Sequence, residues 1–173
     1  MRVEVVQAPS DYQLDCLTVF LGGSIEQGTA EEWQKRLVQD IAQHEIKNSN
    51  ESVLILNPRR DNWNPNLPQD PTPGSEFHEQ VTWELQAQED SDIIVYYFDP
   101  KTKSPVTLLE VGLFATMVAS NIIVCCPKEF WRYGNVAITC DRYNVSLVHS
   151  YDELVTTLKE KLEDRALVNK NVD

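Results

Sequence analysis

No stretch of this chain stays apolar for the roughly 20 residues that a membrane-crossing helix requires. The opening residues, Met-Arg-Val-Glu-Val-Val, lack the long apolar core of a signal peptide. Cysteine is sparse: Cys16, Cys125, Cys126 and Cys140, with no CxxC and no His/Cys spacing of the metal-binding kind. That argues against both a disulfide framework and a zinc site, and the adjacent pair reads as reduced core packing. Positive charge is also short, with 15 basic against 27 acidic residues and a net charge of −12. Nucleic acids and anionic membranes reward basic patches, so neither is expected as a partner. Glycine never forms the GxGxxG pattern of dinucleotide binding. A flavin is disfavoured too, because the first loop lacks a hydroxyl-rich phosphate cradle. The expectation is a cytoplasmic protein without metal or cofactor.

What the chain does have is alternation. Apolar runs at Leu17–Leu21, Val53–Leu56, Asp92–Phe98, Asn121–Cys125 and Ser146–His149 read as strands. Helices are expected from a capping box at Thr29–Glu32, from Ser75 to Asp90, over 104–117, over Asn135–Tyr143 and from Tyr151 to Asp164. The first carries Trp33, Leu37 and Ile41 on one stripe, and the last carries Leu154, Leu158 and Leu162. Strands rich in β-branched residues between helices imply an α/β fold with a mainly parallel sheet covered on both faces. Five strands suggest a flavodoxin-like, doubly wound order in a single domain over residues 17–164. Residues 1–16 are an arm or an added edge strand, and 165–173 a flexible tail. Residues 57–74 hold five of the nine prolines and form a long loop, a length that points to function.

In such a sheet the ligand lies at the carboxyl ends of the strands. Gly22 and Gly23 end the first strand there, where small residues let backbone N–H groups approach a ligand, and Ser24 adds a hydroxyl. Ser104-Pro105 opens a helix with a favoured cap and first residue. The same helix mouth points N–H groups at any nearby anion. Two carboxylates look out of place. Glu110 falls on the stripe Val106, Leu113 and Met117, and Glu84 falls among Phe77, Val81 and Leu85. A buried carboxylate is costly unless it is paired, protonated or used. Two inward glutamates on consecutive helices suit glycosyl transfer, one at the anomeric carbon and one managing the leaving-group proton. Glu84 lies about 14 Å along its helix, so that helix must begin late or tilt outward to bring it to the ligand edge.

Phe20-Leu-Gly-Gly-Ser-Ile25, Asp92-Ile-Ile-Val and Leu109-Glu-Val-Gly-Leu-Phe-Ala115 together resemble the nucleoside 2-deoxyribosyltransferase superfamily. That superfamily includes the 2'-deoxynucleoside 5'-monophosphate N-glycosidases. The strings Asn57-Pro-Arg-Arg-Asp-Asn-Trp63, Gln80-Val-Thr-Trp-Glu84 and Asp99-Pro-Lys-Thr-Lys-Ser-Pro105 resemble a less characterised branch. The resemblance implies a flavodoxin-like domain that forms dimers or larger homo-oligomers. It implies Glu110 as nucleophile and Glu84 as the second acid, a position usually held by Asp. It implies that Ser24 and Ser104 meet the 5' end of a nucleotide, and that Asn135 reaches the neighbouring subunit's site. Two positions depart from the pattern. Glu26 stands where the monophosphate hydrolases carry Arg, and Phe20 stands where the family often has a Tyr beside the nucleophile. Tyr96 or Tyr97 is a substitute for that hydroxyl, and strand alternation lets only one of them face the site.

The reading is an N-glycosidic-bond transferase or hydrolase acting on a nucleoside, nucleotide or related N-riboside. The expected catalytic pair is Glu110 and Glu84. The expected substrate contacts are Gly22, Gly23, Ser24, Asn57, Arg59, Asp61, Trp63, Asp92, Ser104 and Asn135. Arg59 and Arg60 are candidates for holding an oxyanion, and Trp63 or Trp83 for stacking on a base. The alternative is a non-catalytic nucleotide- or sugar-binding module that keeps the pocket.

Overall fold

The computed structural model describes residues 2–25, 30–44, 52–61, 64 and 66–169. Its sheet is built from β1 (Arg2–Gln7), β2 (Leu17–Gly23), β3 (Ser52–Asn57), β4 (Ile93–Tyr97), β5 (Ile122–Cys125) and β6 (Ser146–Val148). All neighbouring strands pair in parallel, in the order β1-β3-β2-β4-β5-β6. The sheet therefore has six strands, not the expected five. The N-terminal segment supplies the sixth as an edge strand, with Val3 opposite Val53 and Val5 opposite Ile55. Without β1, the order is 2-1-3-4-5, that of a doubly wound α/β sheet.

Among the described residues, five α-helices cover the two faces: α1 (Trp33–Ala42), α2 (Glu76–Asp90), α3 (Pro105–Ala115), α4 (Tyr133–Tyr143) and α5 (Tyr151–Asn169). The side-chain alternation of each strand divides the core in two. Val19, Leu21, Ile55, Val95 and Ile123 meet α1 and α5. Phe20, Leu56, Ile94, Tyr96 and Val124 meet α2, α3 and α4. The stripes expected on α1 and α5 are as the periodicity implies: Trp33, Leu37, Ile41, Leu154, Leu158 and Leu162 are all fully buried. Each buried Leu contributes about 1.5–3 kcal/mol relative to exposure. The last helix runs on to Asn169 and buries Ala166, so helix replaces the expected tail through that point.

The stripes expected on α2 and α3 are out of phase. Phe77 is half-buried, and Val81, Leu85, Val106, Leu113 and Met117 are exposed. The residues facing inward are Gln80, Trp83, Ala87 and Gln88 on α2, and Thr107, Glu110, Val111, Phe114 and Ala115 on α3. Ser75 caps α2 by accepting the His78 N–H at 3.0 Å. The capping box expected for α1 begins at Thr29, outside the described residues, and α1 itself opens at Trp33 with no side-chain cap bond. No helix among the described residues is long and apolar enough to cross a membrane.

Candidate active site

A cleft of about 970 Å3 opens beyond the carboxyl ends of β2 and β3. Gly22 and Gly23 form part of its wall, Arg59, Arg60 and Asp61 another part, and residues of α2 and α3 a third. Gly23 has φ +148°, and a Cβ there would stand 2.4 Å from the Tyr97 carbonyl oxygen. Only glycine fits that approach. The Trp83 indole N–H donates to the Ser10 carbonyl at 2.9 Å, just past the carboxyl end of β1. That position answers the distance problem: Phe77, Gln80, Val81 and Glu84 all reach the cleft.

Glu84 and Glu110 face the same cleft. Glu110 is only 8% exposed, and its Oε1 accepts the Gln88 amide N–H at 3.0 Å. Burial, and next the charge of Glu84, push its carboxyl up to about 8, while the Gln88 bond opposes the rise. Glu84 is also raised, chiefly by burial, against a Gln80 hydrogen bond and the Arg60 charge. Burial thus biases both carboxyls toward their protonated forms, Glu110 also through the charge of Glu84. Neither makes an ion pair among the described residues. Arg60 pairs with Glu76 at 2.9 Å and gives its Nε–H to Gln80. Arg59 spends Nη1 on the Glu31 carbonyl and on Gln34.

Ser104 sits at the N-cap of α3 with a left-handed backbone, φ 47°, and its hydroxyl caps nothing in the helix. It turns instead to Ser24, Oγ to Oγ at 2.6 Å, with the Thr102 hydroxyl 2.8 Å from both. The Asp99 N–H donates to Ser24 Oγ at 2.8 Å. This buried trio staples the loop after β2 to the loop after β4. Ser104 borders the cleft. The Ser24 side chain lies behind the cleft wall, because its oxygen is already taken by Asp99, Thr102 and Ser104.

Several expected contacts stand elsewhere. Asp92 precedes β4, so it lies at the amino ends of the strands, where its carboxylate accepts the Thr18 N–H at 2.9 Å. It is on the wrong edge for the cleft. Asn57 is buried outside the cleft lining, and its side-chain oxygen takes the Arg59 N–H at 3.0 Å. Asn135 is exposed in the first turn of α4, away from this chain's own cleft. Trp83 is core, edge-on to Tyr12 at 5.8 Å, and Trp63 lies outside the described residues.

Three residues escaped the sequence reading: Gln80, Gln88 and Thr102. The four-residue spacing of Gln80, Glu84 and Gln88 was a visible signal, because it sets three long polar side chains on one side of a helix. Of the two tyrosines, Tyr96 faces the cleft layer and Tyr97 the opposite face. The Tyr96 hydroxyl meets Gln88 rather than Glu110 itself.

No curated protein matches the chain. A family model described as nucleoside 2-deoxyribosyltransferase-like matches residues 16–130, which hold β2 to β5, the glycine turn and both cleft glutamates. The chain therefore belongs to the nucleoside 2-deoxyribosyltransferase-like family.

Proposed function

We propose that this protein transfers or hydrolyses the N-glycosidic bond of a nucleoside, nucleotide or related N-riboside by a retaining double displacement. The observation that carries the reading is the pair Glu84 and Glu110 in one cleft, with Glu110 bound to an amide and, among the described residues, to no cation. In the first step Glu110 Oε2 attacks the anomeric carbon as the bond to the base nitrogen breaks. The base leaves with that electron pair and takes a proton from Glu84. In the second step water or another base attacks the same carbon, gives its proton to Glu84 and releases Glu110. Arg59 is the better placed of the two arginines for a substrate oxyanion, since its guanidinium meets the neutral Glu31 carbonyl and Gln34 whereas that of Arg60 is ion-paired with Glu76. The cleft borders the end of β2 in a sheet of flavodoxin-like order, and sheets of that order bind ligands at the strand ends, which supports the reading.

The same reading extends to a homo-oligomer. On α3 Val106 is 60% exposed and Leu109 72%, Leu113 is exposed too, and Met117 just past its end and Ile138 on α4 are further exposed apolar residues. Large exposed apolar areas are rare on monomers. Val106 and Val81 also border the cleft, so a second copy seated there would wall the site.

The test is incubation with a panel of nucleosides and 5'-nucleotides, with and without a second free base, followed by chromatography. Base release or exchange that disappears in Glu110→Ala supports the enzyme and sorts hydrolase from transferase. Binding without turnover in both proteins would favour the non-catalytic module. Sedimentation of Leu109→Glu beside the parent protein tests the oligomer, and a parent that sediments as a monomer would end that part.

A further inference from the structure

We infer that Gln80 and Gln88 are a matched pair of positioning residues, each pinning one oxygen of one cleft carboxylate so that the other oxygen is left to the substrate. The inference deepens the proposed function and rests on it for the roles of the two acids. Gln80, Glu84 and Gln88 follow one another at four-residue spacing on α2, so they share one side of the helix. Gln80 is 4% exposed and Gln88 1%. Primary amides enter a core at this depth only when their hydrogen bonds are met.

The two amides are wired alike. Gln80 Nε2 donates to the Pro58 carbonyl at 3.1 Å and to Glu84 Oε1 at 2.6 Å. Gln88 Nε2 donates to the Glu84 backbone carbonyl and to Glu110 Oε1, both at 3.0 Å. Each amide oxygen then accepts from a side chain: Gln80 from Arg60 Nε–H at 2.5 Å, Gln88 from the Tyr96 hydroxyl. The orientation of each amide follows from its partners. A backbone carbonyl only accepts and a guanidinium only donates. Turning Gln80 over would set its NH2 against Arg60 and its oxygen against Pro58 and Glu84. Turning Gln88 over would set its oxygen against the Glu84 carbonyl and a carboxylate. Both amides are therefore locked with N–H toward the acids.

Among the described residues, no protein donor takes Oε2 of Glu84 or Glu110. A carboxylate held at one oxygen keeps a single rotamer, and the free oxygen keeps one direction of approach. Attack at carbon and proton transfer both depend on such alignment. The hydrogen bond to the charged form also offsets part of the cost of burying it. The groups facing Glu110 are Glu84 and Gln88 from α2 and Tyr96 from β4. Those facing Glu84 are Gln80, Arg60 and Glu110.

The experiment replaces each glutamine by methionine, which keeps the length and loses the donor. Protein carrying 13C at the glutamate carboxyls is titrated by NMR, with Glu110→Gln and Glu84→Gln assigning the two signals. Gln88→Met is expected to raise the Glu110 midpoint and leave Glu84 nearly in place, and Gln80→Met the converse. Tyr96→Phe removes only the hydroxyl that orients Gln88, and is expected to give a smaller shift of Glu110 in the same direction. It serves as the probe if Gln88→Met does not fold. On a substrate found by the panel, each methionine variant is expected to lose about ten- to a hundredfold in kcat with little change in KM. Folded variants with unmoved midpoints, or with both acids moved equally by either change, would overturn the inference. Selective shifts in a protein that turns over nothing would leave the positioning intact and sink the enzymatic reading instead.

Discussion

Gly22 lies against the ring of Tyr96: a Cβ at Gly22 would stand 2.8 Å from Cδ1 and Cε1 of that ring. Strand pairing sets the two residues opposite each other in β2 and β4. The Phe20 ring would stand 3.0 Å from the same Cβ, and Tyr96 is fully buried with its hydroxyl on Gln88. The ring has nowhere to move without giving up that bond. Gly22→Ala is therefore expected to destabilise by about 1–3 kcal/mol, the range for overpacked cores. Denaturant melts measure it. An unchanged midpoint would mean that Tyr96 moves freely and cannot hold Gln88.

Stability should depend on pH through Glu110. Burial and the Glu84 charge lift its carboxyl from 4.5 to about 8. The folded protein thus keeps a proton that the unfolded chain has released. Its contribution is full below pH 4.5 and is lost as the pH rises through about 8. Each unit of difference corresponds to about 1.4 kcal/mol. Glu84 is shifted in the same direction and steepens the fall. Glu110→Gln cannot ionise, so it should lose less stability across that window and be the more stable protein at its upper end. Chemical melts at several pH values test this, and parallel curves for the two proteins would contradict it.

How the two helix pairs read in the sequence explains what was legible. Trp33, Leu37 and Ile41 on α1, and Leu154, Leu158 and Leu162 on α5, face a purely apolar sheet surface, so period and burial coincide. On α2 and α3 they do not. The inward side of α2 carries Gln80 and Gln88 because it must supply hydrogen bonds to carboxylates, and the apolar Val81 and Leu85 are turned outward. Hydropathy alone assigns such a helix the wrong face. Glu110 stands out in the sequence because a carboxylate is unusual in an apolar run, although the Val106, Leu113 and Met117 stripe around it is exposed. Ser24 stands out by its motif but its partners do not, since its hydroxyl is bound to Thr102 and Ser104 some 80 positions away. The sixth strand was ambiguous because Arg2–Gln7 is a half-exposed edge with little alternation.

The α5 face should separate stability from chemistry. Leu158 is fully buried between α5 and the sheet, on the side away from the cleft. Leu158→Ala is expected to cost about 2–5 kcal/mol. Turnover per folded molecule should stay as in the parent, measured below the melting transition. A large loss of turnover with the fold intact would mean that the two core layers are coupled.

Glu84 has the sharper kinetic signature. A general acid matters only in proportion to how badly the leaving group needs a proton. Glu84→Gln should therefore slow release of a basic nucleobase by about 10²–10⁴-fold. It should barely slow release of a leaving group such as 4-nitrophenolate, which departs as a stable anion. The substitution also removes the negative charge that helps to raise Glu110. The acid limb of the rate profile on that activated substrate should then move to lower pH. Glu110→Ala, by contrast, should abolish turnover of both substrates, because neither can form the bond to the anomeric carbon without it. Equal losses for the two substrates in Glu84→Gln would assign Glu84 to holding the sugar or Glu110 rather than to moving the proton.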